Sequence, residues 1–129
     1  MIPGKIFTLS TMENLWMARG EIWLTIFPMG GRGGAKMRPA VLLTDAVGPV
    51  PEILTAYLSS VIPSALLPSD LVLDPSKSEH SSTNLKSRSV LRLHKLATVH
   101  RRDAVRKVGE LSAVLMAEVE ARLRALLKL

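Results

Sequence analysis

The chain has 129 residues, 47% of them apolar and 22% charged, which is enough to form one domain with a real core and excludes a disordered composition. A net charge of +6 favours nucleic acid, acidic proteins or anionic surfaces as partners. Because there is no cysteine, disulfides, thiolate zinc sites and cysteine nucleophiles are excluded. Three scattered histidines form no dense ligand cluster, so we predict no metal and no cofactor.

The sequence gives no indication of membrane insertion or export. No apolar run approaches the roughly 20 residues that span a bilayer, and the first residues lack the continuous apolar segment of a signal peptide. We therefore expect a cytoplasmic protein without membrane contact. Residues 1–17 show no clean periodicity and are interpreted as an N-terminal extension, to which we assign no role, ahead of a single domain at 18–129.

Two predicted strands flank a glycine-rich loop. Glu21–Phe27 alternates apolar and polar positions, which indicates a strand. Pro28 to Lys36 contains the glycines and is predicted to be a loop. Pro39–Thr44 is apolar without alternation, which indicates a strand covered on both faces, and we expect Pro39 at its first position, where a missing N–H does least harm.

Further strands follow in the middle of the chain. Ile53–Ser60 alternates, and Asp70–Leu73 is short and apolar. Asp74–Arg88 is polar and serine-rich, and is predicted to be a mobile surface loop. Ser89–Val99 returns to alternation, whereas Arg101–Val108 is interpreted as a short turn or helical element.

The last segment is the clearest helix. Ser112 can cap it, and an apolar stripe at helical spacing follows, formed by Met116, Val119, Leu123, Leu126 and Leu127. Five or six short strands followed by one helix predict a mainly β (α+β) fold, a small bent antiparallel sheet or barrel with a C-terminal helix.

Gly30–Leu43 could form an anion-binding device. Glycines let a backbone approach a ligand closely, and the Arg38-Pro39 pair is locally stiff because proline restricts its predecessor. A basic loop would thus lead to one rigidly aimed arginine at the mouth of a buried strand. The alternative is a hairpin loop whose charges are incidental.

Several motifs resemble those of the PemK/MazF toxins. RGEIW at 19–23, RPAVLL at 38–43, YLSS at 57–60, SVLRLHKLATV at 89–99 and KVGELS at 107–112 occur in the order seen in that family. The resemblance covers about residues 18–129.

This resemblance implies a Src-homology-3-like barrel of the CcdB/PemK/MazF type, a homodimer, and a cognate acidic antitoxin as partner. It also implies a metal-independent endoribonuclease, an mRNA interferase, which cuts single-stranded RNA. The ribose 2′-hydroxyl would attack the adjacent phosphate and leave a cyclic phosphate and a 5′-hydroxyl. Operator DNA would be a further partner through the antitoxin complex.

By the same resemblance, the catalytic residues are Arg38 and Ser59. The chain departs from the family where many members carry Glu or Gln in the loop before the arginine, because residues 33–36 read GGAK. Which group acts as general base is therefore left open. The usual Gly-Leu ahead of the 89–99 strand is Asn84-Leu85, and asparagine tolerates the left-handed backbone that a similar turn needs.

Basic residues near these positions are candidates for binding RNA. Eight Lys or Arg residues lie between Lys86 and Lys107, against one acid, Asp103. The predicted RNA-binding residues are Arg32, Lys36, Tyr57, Lys86, Arg88 and Arg92, with Tyr57 as a stacking ring and Lys95 as a further cation. For each cation, a solvated surface charge is the alternative.

Three other functions are considered. His94 and His100 could form an acid–base pair of the two-histidine ribonuclease kind, although nothing in the family pattern places catalysis there. The chain could also be a non-catalytic gyrase poison like CcdB. Finally, a degenerate toxin could act as a nucleic-acid-binding module.

Overall fold

The computed structural model describes residues 17–28 and 34–129, which form a six-stranded antiparallel sheet with a C-terminal helix. The strands are β1 (Glu21–Pro28), β2 (Ala35–Leu42), β3 (Glu52–Ser59), β4 (Asp70–Leu73), β5 (Ser89–His100) and β6 (Ala104–Glu110). The helix is α1 (Ala113–Leu127), and short 3₁₀ helices cover Ser78–Thr83 and Arg101–Asp103. The strand order is β4-β5-β3-β2-β1-β6.

The predicted mainly β fold with a C-terminal helix is confirmed. β1 contacts β5 although β3 and β2 separate these strands in the sheet, so the sheet is strongly curved. Within residues 17–28 and 34–129, no helix is long and apolar enough to cross a membrane. Met17, assigned to the N-terminal extension from the sequence, is 4% exposed and packs with Leu42, Ile53 and Val99; residues 1–16 lie outside the described part.

The main hydrophobic core lies between the sheet and α1. Ile22, Leu58, Leu91 and Leu93 from the strands meet Val119 of the helix, and all five are fully buried. The helix begins as predicted, because the Oγ of its N-cap Ser112 accepts a hydrogen bond from the N–H of Leu115 at 3.2 Å. The far end of the predicted apolar stripe is not core, since Leu126 and Leu127 are exposed.

The prediction that Pro39 begins its strand is wrong. β2 starts at Ala35, and Pro39 is its fifth residue, paired with Leu24 of β1. The N–H of Leu43 donates to Leu54 of β3, and alternation along the strand places the nitrogen of Pro39 on that same side. The pairing of β2 with β3 runs only from Leu42 to Ala40, so the missing N–H falls where no ladder bond is made.

The prediction of a turn or helical element at Arg101–Val108 is correct only for its first three residues. From Ala104 the chain forms β6, which pairs with β1 at the edge of the sheet. Two register shifts in this pairing disturb the alternation. In addition, Val105, Arg106 and Lys107 are all exposed on this edge strand, so the apolar–polar period that marks a strand is absent.

The serine-rich segment before β5 is tied to β6. Its 3₁₀ helix ends at the fully buried Thr83, and Asn84 follows in the left-handed conformation (φ 53°) that the sequence allowed. The Oγ of Ser82 donates to the carbonyl of Glu110, and Nδ2 of Asn84 donates to that of Val108. Gly109 lies against this segment so closely that a Cβ there would overlap the backbone carbonyl of Thr83.

We expect Gly109→Ala to destabilise the protein by about 2 kcal/mol, because neither of the two overlapping backbones can move away by a rotamer change. The matched control is Ser82→Ala, which removes one exposed hydrogen bond of the same contact and should cost at most about 1 kcal/mol. Urea unfolding of both variants measures the difference. Equal free energies of unfolding for Gly109→Ala and Ser82→Ala would show that the close contact between the 3₁₀ helix and β6 does not stabilise the fold.

Candidate active-site groove

A groove of about 550 Å³ opens where β2 and β3 stop pairing. Residues from β1, β2, β3 and β6 line it together with Asn84, Leu85, Lys86, Ser87 and Ser89. Among its described lining residues none is acidic, and four are cationic, namely Arg38, Lys86, Arg106 and Lys107. A concave surface with charge of one sign concentrates ligands of the opposite sign, so this groove is suited to a polyanion.

Arg38 and Ser59 lie in this groove because of the β2–β3 register. Ala40 pairs with Tyr57, and continuing that register by two residues places Arg38 opposite Ser59, with both side chains on one face of the sheet. Arg38 is half-buried, and the Nη1 of its guanidinium donates to the carbonyl of Met37 at a long 3.3 Å. Within the described residues it has no carboxylate partner, so its charge is directed at the groove uncompensated.

Ser59 closes β3 with a local turn. Its Oγ accepts from the N–H of Val61 at 3.1 Å and lies 3.3 Å from the carbonyl of the same residue. This contact fixes the hydroxyl at the groove wall, where Ser60 and Val61 also line the cavity. The hydroxyl can donate to a phosphate oxygen by giving up the longer of these two bonds.

Tyr57 also lines the groove, but the residue is only 9% exposed. Phe27 packs against it with the ring centroids 5.4 Å apart, and Nζ of Lys95 lies 5.7 Å from its centroid. A base can stack only on an open ring face, so little of Tyr57 is accessible for the predicted stacking. The stacking role remains a prediction, for which this burial offers no support.

The other predicted RNA-binding residues are distributed unevenly. Lys86 lines the groove, positioned by the left-handed turn at Asn84. Lys36 and Arg88 are exposed outside the groove lining. Arg92 also lies outside it, and its Nε donates to Asp70, a carboxylate with a fully buried side chain, at 2.9 Å. Arg32 lies outside the described residues, so its predicted role is not addressed by the structure.

Sequence reasoning missed Arg106 and Lys107 as groove residues. Both come from β6, which the strand order places beside β1, far in sequence from Arg38. The high density of basic residues between Lys86 and Lys107 is the signal that could have found them. This signal did not identify them, because the segment Arg101–Val108 was interpreted as a turn or helical element and not as a strand.

One carboxylate organises the β6 side of the groove. The Oε2 of Glu21 lies 3.0 Å from Nζ of Lys107, and its Oε1 accepts from the indole Nε1 of Trp23 and from the N–H of Ala18. Burial alone would raise the pKa of Glu21, but these hydrogen bonds outweigh it and hold the pKa below its ordinary value. The hydrogen bond to Glu21 in turn raises the pKa of the Lys107 ammonium.

The histidines considered for acid–base chemistry are not part of the groove lining. Nδ1 of His94 lies 4.0 Å from Oδ1 of Asp70, and Nδ1 of His100 accepts from the N–H of Arg102. His80 accepts from the N–H of Asp74. Across the described ranges, no group of three or more His, Asp or Glu side chains is arranged to hold a metal ion.

The curved sheet and its cationic groove define a small β domain that can bind a polyanion. Residues 18–127 match the family model of the PemK-like, MazF-like toxin of type II toxin–antitoxin systems. The chain therefore belongs to the PemK/MazF toxin family.

Relatives and solved structures agree with this assignment. The Endoribonuclease MazF6 of Mycobacterium tuberculosis and the Endoribonuclease MazF2 of Mycobacterium bovis are each 28% identical over 117 residues, 88% of this chain and 98% of the relative. The M. tuberculosis toxin MazF-mt6 has the same fold, with a TM-score of 0.64 and 18% identity over 84% of this chain and 97% of that one. A Deinococcus radiodurans MazE–MazF structure gives a TM-score of 0.61 and 21% identity, over 87% and 95%.

We expect Glu21→Gln to cost about 1–2 kcal/mol at pH 7, because hydrogen bonds to a buried charged group stabilise more than neutral ones. The folded-state pKa of Glu21 is lowered, so its stabilisation is present above the unfolded-state pKa and is lost as the pH falls through the folded-state value. In urea unfolding, the difference in free energy of unfolding between wild type and variant should shrink as the pH falls from 7 to 3.

The control is Glu118→Gln, which breaks an exposed ion pair with Arg122 and should change the free energy of unfolding by less than about 0.5 kcal/mol. A difference that does not depend on pH would contradict this role of Glu21.

Proposed function

We propose that this chain is a toxin endoribonuclease that cleaves single-stranded RNA in the groove, with Arg38 and Ser59 as its catalytic residues. The observation that carries the proposal is that the β2–β3 register brings these two side chains to one cationic groove whose described lining is free of acids. Family membership supports the toxin class, and the names of the mycobacterial relatives support RNA as the substrate.

The cations of the groove would bind the RNA backbone. Arg38, Lys86 and Arg106 have no carboxylate partner within the described residues, so neutralising a phosphate with them breaks no existing ion pair. Lys107 is already paired with Glu21 and contributes less. Affinity that rests on such contacts falls steeply with salt concentration.

The chemistry needs one bond made and one broken. The ribose 2′-oxygen attacks the adjacent phosphorus, the bond from phosphorus to the 5′-oxygen breaks, and the products are a 2′,3′-cyclic phosphate and a 5′-hydroxyl. The 2′-hydroxyl loses a proton and the leaving 5′-oxygen gains one, so no net proton is consumed. Arg38 would stabilise the charge that grows on the non-bridging oxygens, for which a guanidinium offers two parallel donors.

Ser59 would orient the phosphate, because its hydroxyl stands on the facing strand with its direction set by the Val61 backbone. The serine need not be a nucleophile, since the RNA supplies its own. An arginine is a poor general base, and the described groove lining offers no carboxylate in its place. Catalysis would therefore depend mainly on positioning and charge, which fits a slow enzyme.

The partners follow from the charge of the groove. A mycobacterial endoribonuclease of the same fold has been solved in complex with its cognate antitoxin, with a TM-score of 0.62, 15% identity and coverage of 88% of this chain and 96% of that one. We propose that this chain likewise has a cognate antitoxin, with an acidic segment that covers the cationic groove. Homodimerisation, operator DNA binding through the antitoxin complex and a cytoplasmic location belong to the same proposal.

Replacing Arg38 tests the site. We expect Arg38→Ala to lower the cleavage rate of a defined RNA at least about 100-fold, measured by primer extension with EDTA present, because it removes the main charge stabilisation. Arg124→Ala, which removes an exposed cation of α1 outside the groove, should cleave like wild type. Circular dichroism of both variants checks that the fold is intact.

Three results would contradict the proposal in distinct ways. An active Arg38→Ala variant would show that the catalytic site is elsewhere. Wild-type protein that binds RNA tightly but leaves it uncut would be a degenerate toxin. Gyrase-dependent DNA breaks without RNA cleavage would identify a gyrase poison.

A further inference from the structure

A second cavity adjoins the groove along β6. Its volume is about 320 Å³, within the range of roughly 300–1,000 Å³ typical of small-molecule sites. Arg106 and Lys107 line both cavities, so the two cavities meet at β6. The other residues that line the second cavity are Met17, Trp23, Arg101, Ala104 and Val105.

The indole is held in place before any ligand arrives. Its Nε1–H donates to Oε1 of Glu21 at 3.0 Å, and Oε2 of the same carboxylate holds Nζ of Lys107 at 3.0 Å. Trp23 packs against the cluster of Met17, Leu42, Ile53 and Val99, is half-buried, and lines the cavity. A flat ring that is already fixed loses little freedom on binding, which favours affinity.

We propose that the second cavity is a subsite for one nucleotide next to the cleaved bond, with its base on Trp23 and its phosphate on Arg106, which lines both cavities and has no carboxylate partner within the described residues. This inference rests on the proposed function, because it takes the groove around Arg38 as the place of cleavage. An RNA strand that leaves the groove over β6 meets Trp23 next. Within the described sheet β6 has a neighbour on one side only, so no strand covers its outer edge.

A nucleotide is the ligand that this combination of groups fits. Every base has a flat face that can stack on an indole, and the adjacent Arg106 guanidinium matches the phosphate that accompanies it. Stacking is tolerant of base identity, so the subsite would add affinity for longer RNA without fixing the sequence that is cut. The substrate would thus be recognised beyond the two nucleotides that flank the cleaved bond.

Steady-state kinetics with two substrates test the proposal. One is a dinucleotide that contains only the cleaved bond, and the other is a decanucleotide with the same central pair. We expect Trp23→Leu to raise KM for the decanucleotide about tenfold with kcat unchanged, and to leave KM for the dinucleotide unchanged. Trp23→Phe keeps a ring and should stay within about twofold of wild type. An equal rise for both substrates, or no rise for the decanucleotide, would overturn the subsite.

A second measurement leaves Trp23 in place, because this residue also packs on the core. In a Trp16→Phe variant Trp23 is the single tryptophan. A 2′-O-methyl decanucleotide, which lacks the attacking hydroxyl and cannot be cut, should quench its fluorescence in a saturable manner, and Arg106→Ala should weaken this binding several-fold. Unchanged emission at saturation, verified by the anisotropy of a labelled decanucleotide, would overturn the proposal. If the emission of Trp23 changes with protein concentration and not with the decanucleotide, a second copy of the chain occupies the cavity. This result would also overturn the proposal.

The two failures can be told apart. If the proposed function is wrong, wild-type protein cuts neither substrate, while the fluorescence measurement still decides whether a nucleotide reaches Trp23. If only the subsite is wrong, wild-type protein cuts both substrates normally and the fluorescence of Trp23 does not respond to the bound decanucleotide.

Discussion

The pairing of β2 is the constraint on which the site depends. This strand pairs with β1 through Ala35, but with β3 only as far as Ala40. Pro39 lies at the point where the second pairing ends, and its missing N–H leaves no ladder bond to be satisfied there. The sheet therefore opens beside Arg38 and Ser59, and the walls of the resulting groove come from several strands, among them β2, β3 and β6. A strand fully paired on both sides would hold the same two residues without space for a substrate.

The same sheet divides the basic residues into two groups. Arg92 forms an ion pair with Asp70 and so connects β5 to β4. Lys107 forms an ion pair with Glu21 and so connects β6 to β1. In contrast, Arg38, Lys86 and Arg106 meet no carboxylate within the described residues, and they line the groove, as the paired Lys107 also does. The basic residues thus have two roles that the sequence does not distinguish. Some of them stabilise the fold through ion pairs, and others attract a polyanion.

Local patterns predicted the elements whose environment is simple. β1 and α1 follow from periodicity, and Ser112 caps α1 as expected, because each of these elements buries one face or stripe. β6 could not be predicted in this way, since its exposed edge and register shifts leave no alternation. Arg38 and Ser59 were assigned by resemblance to a family, whereas Arg106 became part of the site only through the β1–β6 pairing. That long-range pairing is not encoded in any short stretch of sequence.

The most direct test of a shared reaction centre is a double-mutant cycle on the RNA cleavage rate with Arg38→Ala, Ser59→Ala and the variant that carries both changes. If both side chains act on the same phosphate, the loss in the double variant should be much smaller than the product of the two single losses, and close to that of Arg38→Ala alone. Losses that multiply would mean that the two residues act independently, and would contradict a common site at the opening between β2 and β3.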